Sequence, residues 1–196
     1  MGLKFPPNFP IALTLLVLVI IGAIFSFSKN SNKKADIVED IHVETAKIIP
    51  ADSFYFNLES QVMDLENFET VRAETSNSAK HSCSMDAATE FSVAFSRSAT
   101  TIKEFGKHKQ VTYSFSIFAP KPVNNAQVVY SLSSEEGGDS DWQSKELKCD
   151  SSSWTRYDFK FDLNEEFRKG SGKVKLYVWN KGKETFLIDD ISIIFN

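Results

Sequence analysis

The sequence predicts an all-β protein: an antiparallel β-sandwich of jelly-roll type preceded by a single N-terminal transmembrane helix. Three observations carry this prediction. Apolar and polar residues alternate in one short segment after another between Ser53 and Asn196, and turn-forming clusters separate those segments. No long helical pattern occurs in that region, while a charge-free apolar run, Ile11–Phe27, stands near the N-terminus. Alternation with period two is the mark of a strand with one face in a core and the other in water, the habit of antiparallel sheets.

The Ile11–Phe27 run, IALTLLVLVIIGAIFSF, would span about 26 Å as a helix, at the short end of what a bilayer core accepts. A retained signal-anchor is the leading reading. A cleaved signal peptide is the other, since Ser26-Phe27-Ser28 is a passable small-x-small cleavage site. Residues 1–10 form a short tail before the helix, and residues 28–52 a polar linker or stalk in which Pro50 ends any helix. Lys29, Lys33 and Lys34 follow the run while only Lys4 precedes it. Taken alone, this asymmetry places the following domain in the cytoplasm.

Residues 53–196 form the domain. Phe54–Leu58 opens it as the first strand candidate, and Phe68 lies in a second apolar patch, LENFET. Phe91, Val93 and Phe95 alternate with serine and alanine. Val111, Tyr113, Phe115 and Ile117 do the same until Pro120 and Pro122 end the strand. Val128, Tyr130 and Leu132 form the next segment, and Tyr157, Phe159 and Phe161 another. In the final stretch Val174, Leu176 and Val178 alternate with Lys173, Lys175, Tyr177 and Trp179. Asn180-Lys181-Gly182 then supplies a short turn to a last strand. That strand holds the adjacent carboxylates Asp189 and Asp190 where a sandwich would place an apolar layer, a costly arrangement unless a cation or several N–H groups compensate it. Strand spacing over this length gives about eight or nine strands, which favours a sandwich over a small barrel.

Composition excludes several functions. The chain has 196 residues, 42% of them apolar with 17 Phe, enough for one aromatic-rich core plus an appendage. Its net charge is −4 and it has no basic block, which argues against nucleic acid as a partner. The two cysteines, Cys83 and Cys149, are too few for a zinc site; they form one disulfide or remain two buried thiols. His42, His81 and His108 lack metal-ligand spacing, and no nucleophile elbow, phosphate loop or dinucleotide fingerprint occurs. Ser82 and Ser84 near His81 are a coincidence of a serine-rich chain. Glu135, Glu136, Asp139 and Asp141 sit in a Gly- and Ser-rich segment where solvated charge is the default. A glycosidase, with two carboxylates across a cleft, is a distant reading. The expectation is a protein that is not an enzyme.

The order of landmarks resembles jelly-roll carbohydrate-binding modules of the family 4 and 9 type, within the galactose-binding-like superfamily and familiar in exported proteins of Bacteroidetes-like bacteria. Leu65-Glu66-Asn67-Phe68-Glu69 looks like their opening motif. His81-Ser82 falls where such domains lead into the next strand, Trp142-Gln143-Ser144 is similar to their W-x-S, and Trp154 to their tryptophan before a late strand. Val178-Trp179-Asn180 and Ile188-Asp189-Asp190-Ile191 resemble the closing pair. The resemblance implies an exported domain, against the lysine asymmetry. It also implies a structural Ca²⁺ held by Glu69 with Asp189 or Asp190, a hard cation wanting six to eight oxygens. Sugar recognition of this type uses aromatic faces with polar neighbours, which here points to Trp142, in a loop beside acids, Gln143, Tyr177 and Trp179. The hairpin loop beside Trp142 is more acidic than a sugar cleft would have. The expected function is a membrane-tethered, non-catalytic carbohydrate-binding-like module on the extracytoplasmic side, in the periplasm or at the cell surface, with cell-envelope glycan as the leading ligand class. The alternative is a structural or protein-interaction domain of the envelope that binds no sugar.

Overall fold

The structure, a computed structural model, describes residues 52–134, 140–150 and 152–196. The expected anchor at Ile11–Phe27 and nearly all of the linker lie outside the described residues. Among those described, no helix is long and apolar enough to cross a membrane.

Strands are the dominant regular structure of the described chain, joined by turns and short single-turn helices. In order it forms β1 (Ser53–Phe56), β2 (Leu65–Glu66), β3 (Val71–Arg72), β4 (Ser82–Met85), β5 (Ala94–Ser98) and β6 (Gln110–Phe118). Then come β7 (Val123–Ser134), β8 (Ser140–Cys149), β9 (Thr155–Asp162), the one-turn helix α1 (Glu165–Arg168), β10 (Gly172–Trp179) and β11 (Phe186–Phe195). Two sheets result. One runs β3-β4-β11-β6-β9 with β1 also paired to β11; the other runs β2-β5-β10-β7-β8. Every pairing is antiparallel.

The alternation read from the sequence sets which side chains meet between the sheets. Val111, Tyr113, Phe115 and Ile117 of β6 and Val174, Leu176 and Val178 of β10 are all fully buried. They face Phe95, Tyr130, Phe161, Phe186, Ile188 and Ile193 in one continuous core. Phe54 joins Phe95 and Phe195 at ring separations of 5.1 and 6.3 Å, closing the end where the first and last strands pair. Asn164 caps α1 by accepting the Glu166 N–H at 3.0 Å, the usual role of a side-chain oxygen at a helix start.

Four sequence expectations are corrected. The Asn180-Lys181-Gly182 turn does not fold β11 back against β10: β10 belongs to the five-stranded sheet and β11 to the six-stranded one. Asn180 is fully buried and fixes this crossing, donating to the carbonyls of Asp86, Thr89 and Glu184 while accepting the Glu184 N–H. Trp142 and Gln143 are not in a loop but in β8. That strand escapes notice because its inward positions include Gln143 and Lys145, which reach the rim of the sandwich rather than its centre. Phe91 does not share the core face of Val93 and Phe95. Ser92 is buried, pairs with the Val178 backbone and accepts the Val178 N–H on its hydroxyl, and this turns Phe91 outward at 41% exposure.

The fourth correction concerns the acidic pair. Ile188 and Ile191 are both fully buried though three residues apart, which period two forbids in a regular strand. The register of β11 against β6 slips between Asp189 and Ser192, and Asp190 has φ of 50°. This is a β-bulge with one extra residue, and it turns both carboxylates out of the core together. Cys83 and Cys149 are both buried thiols, and no disulfide joins them.

Candidate functional site

The outer face of the five-stranded sheet is the leading site. Pairing aligns Trp142, Ser131, Lys175 and Ser96 in one row across β8, β7, β10 and β5. The next row on that face is Ser144, Val129 and Tyr177, and the next Glu146, Gln127 and Trp179. Side chains two residues apart on a strand share a face, so Lys173, Lys175, Tyr177 and Trp179 all project outward from β10.

Three aromatics gather at one side of this face. Phe91 meets Tyr177 edge-on at 5.8 Å and stacks with Trp179 at 6.2 Å. An isolated bridge between Phe91 and Trp179 ties the two backbones. The indole N–H of Trp179 donates to Glu90 at 3.1 Å, and the Lys181 ammonium lies 5.2 Å from its ring. Trp142, 50% exposed, stands on β8 level with Lys175, two interstrand spacings or about 10 Å from it, and diagonally across the face from Tyr177. Beside the cluster is a cavity of about 260 Å³ lined by Glu66, Asn67, Phe91, Ser131, Lys175 and Tyr177. At its rim the Glu66 carboxylate accepts from the Ser96 hydroxyl at 2.7 Å, from Lys173 at 2.9 Å and from Lys175 at 2.7 Å. The hydrogen bond from Lys175 leads these contacts in lowering the Glu66 pKa from 4.5 to about 2.

The face therefore unites three of the four residues expected to bind sugar, Trp142, Tyr177 and Trp179. Gln143 is not among them. It projects from the opposite side of β8, where its amide donates to Asp141 and, at 2.7 Å, to the Asp162 carbonyl. It ties β8 to the end of β9. Sequence reasoning missed Glu66, Phe91, Lys173 and Lys175 as site residues. The two lysines were legible, since they alternate with the same core residues as Tyr177 and Trp179. Phe91 was not, because its F-S-V-A-F context reads as a regular strand.

The β-sandwich has solved counterparts in fold. The chain is similar to the N-terminal CBM22-1-CBM22-2 tandem domain of Xyn10C from Paenibacillus barcinonensis at 13% identity and a TM-score of 0.52, over 73% of this chain. It spans half the length of that tandem structure. The CBM22-2 xylan-binding domain of the same protein aligns at 13% identity and a TM-score of 0.50, covering 73% of this chain and 99% of that one. A xylan-binding domain from CBM 22 aligns at 10% identity and 0.51, covering 72% and 93%. No protein-family model matches the chain, and no curated protein matches its sequence. The fold is that of a carbohydrate-binding-module sandwich. These counterparts carry the CBM22 name, so the likeness does not single out the family 4 and 9 type.

The acidic pair forms a second cluster, on the outer face of the six-stranded sheet. Asp189 is fully buried and accepts the N–H groups of Asn77 at 2.8 Å, Ser78 at 3.3 Å and Asp190 at 2.7 Å. Asp190 accepts from the Tyr55 hydroxyl at 2.7 Å, the Asn77 side-chain amide at 2.6 Å and the Ser78 hydroxyl. Arg156 clamps the bulge from β9, donating to the Asp190 carbonyl at 2.6 Å and the Ser192 hydroxyl at 2.9 Å. Burial pushes the Asp189 pKa upward despite its N–H partners. Burial alone would also raise Asp190, but the bonds from Ser78, Asn77 and Tyr55 and the nearby Arg156 charge hold it below the usual carboxylate value.

Glu69, the third expected calcium ligand, is exposed in the short 3-10 helix Phe68–Thr70. Among the described residues no three His, Cys, Asp or Glu side chains gather as a metal site. The residues around the pair do not fit a calcium shell built with Glu69, because the carboxylate oxygens face N–H and O–H donors where a cation would need further oxygens. Elsewhere, Ser82 donates to the Thr75 carbonyl and His81 pairs with Glu59 at 3.1 Å, so these two form no nucleophile–base couple.

Proposed function

We propose that this chain is a non-catalytic carbohydrate-binding protein whose ligand lies across the outer face of the five-stranded sheet. In the same reading residues 11–27 tether it to a membrane with the sandwich on the extracytoplasmic side, facing a cell-envelope glycan. One observation carries the reading: the partly exposed cluster Phe91, Tyr177 and Trp179 beside a polar cavity. Aromatic rings left in water on a sheet face have a cost unless something covers them. Their faces suit the C–H surface of a sugar ring, and Trp142 across the sheet offers a second platform for a longer chain. The likeness to carbohydrate-binding modules supports the reading at the level of fold.

The test is a glycan array probed with the full chain in detergent micelles, beside a Trp142→Ala, Trp179→Ala double variant. Binding to at least one glycan by the parent, lost in a variant with the same thermal midpoint, is the expected result. A parent that binds no glycan would overturn the reading in favour of a protein-interaction domain of the envelope.

A further inference from the structure

The charges on this face narrow the class of sugar, on the premise that the face binds sugar at all. Glu66 stands between Lys173 and Lys175 and pairs with both, at 2.9 and 2.7 Å. Two ammonium groups against one carboxylate leave one positive charge in excess. Among the described residues, Glu146 on this face pairs with Lys148 at 2.8 Å, and Glu90, which accepts the Trp179 indole N–H, is offset by the Lys181 ammonium 5.2 Å from the same ring.

Donor and acceptor capacity point the same way. Each ammonium has three N–H donors and each lysine uses one on Glu66, which leaves two on each lysine for a ligand. The Glu66 oxygens already receive three donors, from Ser96, Lys173 and Lys175. The Lys173 and Lys175 side chains remain 50% and 37% exposed, so the ammonium groups are not sealed off. A neutral sugar hydroxyl needs acceptors as often as donors, and this rim is rich in donors. Lys175 and Tyr177 are two residues apart on one face of β10, about 7 Å along the strand. A ring stacked on Tyr177 therefore places an exocyclic substituent at the Lys175 ammonium.

We propose that the face takes an anionic glycan, with a pyranose ring on the Phe91–Tyr177–Trp179 cluster and its carboxylate or sulfate oxygens on Lys173 and Lys175. A carboxylate and a sulfate ester present the same acceptor-only chemistry, and the test separates them.

The experiment is affinity electrophoresis of the full chain in detergent against polygalacturonate, a sulfated galactan and neutral xylan, each at low and at about 0.5 M salt. A Lys173→Met, Lys175→Met variant and a Trp179→Ala variant run alongside. The expected result is at least about tenfold tighter binding to one of the two charged polymers than to xylan at low salt. That preference shrinks at high salt and disappears in the lysine variant, whereas Trp179→Ala weakens every polymer alike. Preference for polygalacturonate assigns the carboxylate; preference for the galactan assigns the sulfate. Equal binding to xylan, unchanged by the lysine substitutions, would overturn this inference and leave the sugar-binding reading intact. No binding to any of the three polymers would also overturn this inference, while the glycan array decides the sugar-binding reading itself.

Discussion

The outer faces of the two sheets handle charge in opposite ways. On the six-stranded sheet, the bulge at Asp189 and Asp190 brings two carboxylates together, and residues 77–78, Tyr55 and Arg156 close over them until Asp189 has no contact with water. On the five-stranded sheet, Glu66 is held by two lysines but stays open, with aromatic rings beside it. A buried carboxylate with a full set of donors stabilises a structure and has little left for a ligand. A half-exposed ion pair contributes little to stability and keeps its hydrogen-bonding capacity. The closed face reads as a fastening and the open face as a surface for recognition.

Substitutions separate the two. Asp189→Ala strands one buried and two partly buried N–H donors and is expected to cost about 3 kcal/mol, measured by chemical denaturation. Glycan binding by the molecules still folded should not change. On the open face the signs invert. Trp179→Ala is expected to weaken glycan binding by at least about tenfold while changing stability by less than about 1 kcal/mol, read by titration and thermal melt on one sample. A Trp179→Ala variant much less stable than the parent, yet binding normally while folded, would dissolve the distinction.

A finer comparison uses single groups. Tyr55→Phe deletes one hydroxyl donor to Asp190 and should lower stability by about 1 kcal/mol. Acid titration probes Glu66, whose folded pKa lies below its unfolded one. Its contribution is complete above pH 4.5 and is lost as the pH falls toward about 2. Glu66→Gln should lower the melting temperature modestly at pH 7, where the ionised group contributes, and flatten its fall across that window, so that variant and parent converge near pH 2. The smallest expected effect is none: adding calcium or a chelator should not move the melting midpoint. A rise with calcium would show the acidic pair accepting a cation in place of its present donors.

How far the sequence discloses each face follows from the same contrast. The cores of β6 and β10 were legible because strict alternation leaves one arrangement of their side chains, and it places Tyr177 and Trp179 outward with Lys173 and Lys175. β8 was hidden because an edge strand tolerates Gln143 and Lys145 on its inner side, which erases the apolar half of the pattern. Phe91 was misplaced because the phase change at Ser92 depends on a hydrogen bond to Val178, a partner 86 residues away. The acidic pair was noticed as an anomaly, and the Ile188 and Ile191 spacing held the signal of a bulge. Its partners were not foreseeable: Asn77 and Ser78 are polar residues in an irregular segment, and only the folded topology brings them over β11.

The position of β11 has a consequence for how the molecule forms. This last strand is flanked by β6 on one side and by β4 and β1 on the other, and Ser53 of the first strand pairs with Ile194. Half of the sandwich thus depends on contacts between distant parts of the chain, an arrangement that slows folding. During synthesis β1 and β4 must wait, unpaired along β11, until the final ten-residue strand has left the ribosome. Loss of that strand would remove the middle of a sheet rather than trim its edge.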